Sequence, residues 1–220
     1  SSAFPTTANG PRLVSTAAAL AVALTVQACV PASASGGIDS RFFGMHVRDL
    51  ETSFPTALDG RVGAVDLTTN GVYWPSLEPS DNAWDFTRLD ALVAQARQHG
   101  AKPLLVLGQT PSWLGSTPAS PPDMTAWQDY VREVATKYGT TIDYEIWPEG
   151  NIKENWSGTP KQLAARVIAA ARTIHQVTDG KAVVVSPAMV LRMQYQRAFM
   201  DKFFGAKVGG KRVGGFVDAI

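Results

Sequence analysis

The sequence predicts an α/β protein whose parallel strands and helical crossovers form an incomplete (β/α)8 barrel of about six units. Three observations predict it. From residue 41 onward, short apolar runs alternate with longer segments whose apolar residues recur at three- and four-residue spacing. No glycine-rich dinucleotide fingerprint follows the first strand, which favours a closed barrel over an open, doubly wound sheet. The composition is 45% hydrophobic, enough for a sizeable core.

The elements follow in order. Residues 41–47, "RFFGMHV", form a first short strand and residues 61–67, "RVGAVDL", a second. In residues 84–100, Phe86, Leu89, Leu92, Val93 and Ala96 fall on one helical face, and Gly100 stands where a helix C-cap would. Residues 101–108, "AKPLLVLG", make a buried strand, and residues 124–139 a helix that again ends in glycine. Residues 141–147 read as the fourth strand. Residues 159–180 read as a long helix with Thr159 as N-cap and Pro160 in the first turn. A fifth strand over 181–189, a helix over 194–205 and a sixth strand over 214–220 complete the pattern, with "GGKRVGG" as a turn. A complete TIM barrel takes about 250 residues. The 220-residue chain less its first 34 leaves 186, so the expectation is a barrel cut after its sixth strand.

The first 34 residues carry a different signal. Arg12 precedes an apolar run from Leu13 to Val26, which gives way to small residues. That is the layout of an export segment. We therefore divide the chain into an export segment, 1–34, and a barrel domain, 35–220. Two processing outcomes stay open. "ASA" at residues 32–34 suits signal cleavage, while "VQAC" ending in Cys29 resembles a bacterial lipoprotein box, so Cys29 would carry a lipid and anchor the protein to a membrane. Cys29 is the only cysteine, which leaves the barrel domain without a disulfide. The expected location is secreted or cell-surface, by bacterial export. With 20 basic and 19 acidic residues the chain has no field for nucleic acid.

Catalytic groups of parallel barrels sit where strands end. In "YEIWPEGN", residues 144–151, an apolar strand stops at Glu149 between a proline and a glycine. Alternation puts Glu145, Trp147 and Glu149 on one side of the strand. An indole beside a carboxyl raises its pKa, as a general acid at neutral pH requires. The competing reading of Glu149 is a solvated loop carboxylate. Glu145 would lie about 13 Å deeper, at about 3.3 Å per residue, and pair with a buried base. Asp66 ends the second strand, with a loop-bonding role the favoured reading, and Asp218 comes too early in its strand to reach the mouth. Trp113, and less so Trp74, could stack on an apolar ring face or seal the rim. His46 could donate to a hydroxyl or serve the structure, and Gln109 and Asn151 are polar and similarly placed. Trp156 packs the loop after the fourth strand. His46, His99 and His175 sit apart, so no metal site is expected, and no cofactor.

Several stretches resemble clan A glycoside hydrolases, most closely the β-xylosidase-like family 39. "FFGMHV" resembles its first strand, "TNGVYWPSLEPSDNAWDFTRLDALVAQARQHGAKPLLVLGQTPSWLGS" its second-to-third-strand region, and "YEIWPEGNIKENWSGTP" its Trp–Asn–Glu–Pro–Asn motif. The order and spacing of these stretches over residues 41–220 carry the resemblance. It implies a (β/α)8 barrel that cleaves glycosidic bonds with retention, on a carbohydrate substrate, with Glu149 as acid/base. It implies sugar contacts for His46, Gln109, Trp113, Trp147 and Asn151. Three departures stand out, one of them Asp66 where the pattern has an arginine on its second strand. Pro148 replaces the asparagine that usually reaches the sugar 2-hydroxyl, and Gly150 replaces the following proline. The nucleophile, which the family takes from its seventh strand, has no counterpart here, so this chain alone is expected to be inactive. The alternative expectation is an exported, non-catalytic carbohydrate-binding barrel.

Overall fold

The computed structural model describes Ile38 and residues 42–220, and residues 1–34 with Cys29, where an export signal was expected, lie outside the described residues. Five strands, β1 (Gly44–His46), β2 (Ala64–Asp66), β3 (Lys102–Leu107), β4 (Asp143–Ile146) and β5 (Val184–Val185), pair in parallel in chain order. Between and after them run α1 (Leu50–Ser53), α2 (Trp74–Leu77), α3 (Thr87–Gln98), α4 (Met124–Tyr138), α5 (Pro160–Val177) and α6 (Gln194–Gly205). Parallel strands in sequential order with helical crossovers are the building pattern of a (β/α)8 barrel, and the sheet is part of one.

The helices form where the periodicity placed them. Leu89, Leu92, Val93 and Ala96 of α3 are buried. The Asp123 carboxylate caps α4 by accepting from the Thr125 and Ala126 amides at 2.8 and 3.2 Å. Thr159 and Gln162 close a reciprocal capping box at the start of α5, with Pro160 at its first position. The inner faces of α4 and α5 pack together: Val131, Val134, Val167, Ala171 and Ile174 are inaccessible to solvent. Each fully buried valine or isoleucine contributes about 1.5–3 kcal/mol of hydrophobic stabilisation. Among the described residues no helix is long and apolar enough to cross a membrane.

The last predicted strand is a correction. Residues 213–215 form a short 3-10 turn, and only Ala219 bridges to Val185 in parallel. Gly209, Gly210, Gly214 and Gly215 leave this stretch few side chains to bury. Its hold on β5 comes instead from Asp218, whose amide donates to the Val184 carbonyl at 2.8 Å and whose carboxylate accepts from the Val184 amide at 2.8 Å. His175 Nε2 meets the same carboxylate at 3.1 Å. Among the described residues there are thus five strands, and a single bridge to β5 stands where the sixth strand was expected.

Candidate functional site

The register explains which side chains meet at the top of the sheet. His46 pairs with Asp66, and Val106 with Glu145. All four line one cavity of about 380 Å³, together with Thr68, Tyr73, Pro148, Glu149, Asn155 and Ala188. The cavity sits at the carboxyl ends of the strands, where parallel barrels carry their chemistry. Three carboxylates therefore share one hollow.

The loop after β4 delivers Glu149. The extended backbone breaks at Trp147 (φ 75°), and Glu149 itself sits at φ 38°. Non-glycine residues in this region cost on the order of 1–3 kcal/mol, and such strain gathers at functional sites. Two glycines make room for the turn. A Cβ on Gly108, at the end of β3, would come within 2.8 Å of Pro148 Cδ, and one on Gly150 would strike Leu163 Cδ2 of α5. Gly150 thus lets the loop lie flat on the helix. The Glu149 side chain is exposed at the cavity, and Asn155 Nδ2 donates to its Oε2 at 3.2 Å. Lys153, four residues on, forms no ion pair with it among the described residues.

Glu145 corrects the sequence expectation. It is buried, but among the described residues it is not paired with a base. Its Oε1 accepts from the Ala188 amide at 3.0 Å, and it lines the same cavity as Glu149. Burial pushes its pKa up to about 7, against the Ala188 hydrogen bond, and the nearby Asp66 and Glu149 carboxylates push the same way. The chain curls at Trp147, and Glu145 and Glu149 line one cavity. Asp66 accepts at Oδ1 from the Thr68 amide, at 2.7 Å, and from the Thr68 hydroxyl, and its Oδ2 lies 4.0 Å from His46 Nδ1. It bonds its own loop, as expected, and also faces the cavity. Tyr73, which sequence reasoning passed over, is half-buried with its pKa raised to about 12 by burial and the three carboxylates, so it remains a donor. Its only sequence signal was its place in the loop after β2.

The other candidates divide. His46 lines the cavity, with its Nε2 2.7 Å from the Thr69 hydroxyl. Trp147 does not: its ring is wholly buried between Trp127 and Trp156, at 5.7 and 4.9 Å, and its Nε1 donates to the Asn155 carbonyl at 2.6 Å. The positive φ turns it away from the side that alternation predicted. Asn151 is also diverted. It is buried and clamps the loop after β5, donating to the Val190 and Gln196 carbonyls and accepting from the Val190 amide. Trp113 lies at a separate cavity beside Glu78 and Trp84, with its Nε1 donating to the Glu78 carbonyl at 3.0 Å. Gln109 takes φ 63° at the end of β3 and is not among the cavity-lining residues. Trp74 is core, stacked on Tyr130 at 4.5 Å, and Trp156 packs the loop after β4 as expected.

Fold and site together define part of a parallel (β/α) barrel with a carboxylate-lined pocket at the carboxyl ends of its strands. No family model and no curated protein matches the sequence. Solved structures do match. A glucosidase from Croceicoccus marinus shares 20% identity at a TM-score of 0.53, over 72% of this chain and 40% of that one. The glycoside hydrolase family 39 enzyme from Xanthomonas axonopodis pv. citri gives 20% and 0.53, over 75% and 39%. A family 39 β-xylosidase from Caulobacter crescentus gives 19% and 0.51, over 78% and 46%. At this identity the likeness is one of fold: the chain has the barrel architecture of family 39 glycoside hydrolases and spans less than half the length of these proteins.

Proposed function

We propose that the protein is a glycoside hydrolase of the retaining type, acting on oligo- or polysaccharides, with Glu149 as general acid/base. The observation that carries this reading is the Glu149 carboxyl, presented by a strained strand-end loop to a sugar-sized hollow already lined by His46, Asp66, Tyr73 and Glu145. In this reading Glu149 protonates the leaving oxygen and then takes a proton from the attacking water. Asn155 steadies one carboxylate oxygen and leaves the other to the substrate. The nucleophile must stand about 5–5.5 Å from the acid/base. Asp66 is tied to Thr68, and burial pushes the Glu145 pKa up to about 7, which disfavours the carboxylate a nucleophile needs. The reading therefore takes the nucleophile from sequence downstream of Ile220. Export, read from the first 34 residues, belongs to the same proposal.

The test compares the 220-residue chain with a longer natural chain on aryl glycosides. Turnover is expected only in the longer one. There, Glu149→Gln should lower kcat/KM about 10²–10⁴-fold for poor leaving groups and far less for dinitrophenyl glycosides, which leave without protonation. Equal losses on both substrates would remove Glu149 from the acid/base role. The second reading, a carbohydrate-binding barrel without chemistry, is favoured by Pro148, which offers no side-chain donor. It predicts sugar binding and no turnover at any chain length.

A further inference from the structure

The cavity has an imbalance that the acid/base assignment does not use. A neutral sugar needs donors as well as acceptors around its hydroxyls, because a buried hydroxyl left unpaired costs about 1–3 kcal/mol. Here several of the fixed donor hydrogens are already committed. The Thr68 hydroxyl is spent on Asp66, Asn155 Nδ2 on Glu149 and the Ala188 amide on Glu145, while His46 Nε2 is engaged with Thr69. Pro148 has none to give. Against them stand three carboxyl groups. Among the described residues the donors left to a ligand are the Tyr73 hydroxyl, the second N–H of Asn155 Nδ2 and, when Nε2 accepts from Thr69, His46 Nδ1.

We propose that Glu145 is a ligand-binding residue of this pocket, donating a hydrogen bond from Oε2 to a neutral polyhydroxylated ligand. The geometry suits the role. Glu145 is held on β4, its Oε1 is fixed by the Ala188 amide, and among the described residues its Oε2 has no hydrogen-bond partner. No cation pairs with it among the described residues. The charged or titratable neighbours lining the cavity are Asp66 from β2, Glu149 and Tyr73 from their loops, and His46 from β1. The two carboxylates favour keeping the proton on Glu145, as does burial. Its carboxylic acid form is thus well populated near neutral pH, and that form alone has a donor. The proposal rests on the glycosidase reading for the class of ligand and adds a residue to its binding site.

The test is calorimetric titration of xylobiose and cellobiose into the protein between pH 6 and 9. Affinity is expected to fall about tenfold across this range as Glu145 ionises, the equivalent of one lost hydrogen bond. Glu145→Gln keeps both a donor and the acceptor for Ala188, so it should bind with a flat profile. Glu145→Leu should bind at least tenfold more weakly, with circular dichroism confirming that it folds. The slope should persist in His46→Gln. A slope that survives in Glu145→Gln, or vanishes in His46→Gln, overturns the proposal and leaves the glycosidase reading intact. Sloped binding together with full turnover in Glu149→Gln sinks the acid/base assignment alone. Absence of binding to either disaccharide at any pH overturns both.

Discussion

Two buried glutamates, one in the aromatic belt and one in the carboxylate pocket, show what separates a structural carboxyl from a poised one. Glu78 closes α2. Its Oε2 accepts from Trp74 Nε1 at 2.6 Å and its Oε1 from the Asn82 amide at 2.9 Å, amid Trp74, Trp113 and Trp84. Glu145 has a single backbone donor and faces two more carboxyl groups. Burial raises both pKa values, and for Glu78 the two donors pull it back while Asp81 and Asp129 add a smaller push upward. The desolvation cost is shared. What differs is how many fixed donors the surrounding chain supplies, and a carboxyl with few of them keeps a proton that a ligand can use.

The largest expected effect breaks the belt itself. Trp74→Ala removes a fully buried indole stacked on Tyr130 and strips Glu78 of its side-chain donor. Urea denaturation should show a loss of about 3–5 kcal/mol. A loss below about 1 kcal/mol would mean that the belt does not hold Glu78 as described.

Next comes the pH dependence of the pocket. The folded Glu145 pKa, about 7, lies above its ordinary value of 4.5, so the native state binds the proton more tightly than the unfolded chain does. The stabilisation is full below about pH 4.5 and is lost progressively as pH rises through about 7, after which it stays lost. At about 1.4 kcal/mol per pH unit, the wild type should lose on the order of 3 kcal/mol relative to Glu145→Gln across that window. A difference between the two proteins that stays constant from pH 4 to 8.5 would deny Glu145 its proton.

Much of this architecture was legible in the sequence, for reasons visible in particular residues. The faces of α3, α4 and α5 follow from apolar spacing, and several of their starts and stops from Thr159, Gly100 and Gly139. Glu149 at a strand end was legible from "YEIWPEGN". The pocket's depth and orientation were not. A period-two reading holds only while the backbone stays extended, and at Trp147 it does not: that indole is buried, and Glu145 lines the same pocket as Glu149. Asn151 was misread because its partners, Val190 and Gln196, lie 39 and 45 residues away. The sixth strand failed because an apolar run flanked by glycines says nothing about how many ladder partners it will find.

The smallest expected effect sharpens the comparison most. At pH 5 Glu145 is a carboxylic acid, and Gln matches it in shape, in its one acceptor toward Ala188 and in its one outward donor face. Glu145→Gln should therefore change stability by less than about 0.5 kcal/mol there. Glu78→Gln is the same chemical change in a different setting. Two donors, Trp74 Nε1 and the Asn82 amide, converge on its two oxygens, so an amide must turn its own N–H toward one of them. That leaves a buried donor unmet and should cost about 1–3 kcal/mol. Parallel denaturation curves at pH 5 measure the gap. Equal costs would show that the donor count around each carboxyl is not what distinguishes them, and the separation between a structural and a poised glutamate would have to rest on the cavity alone.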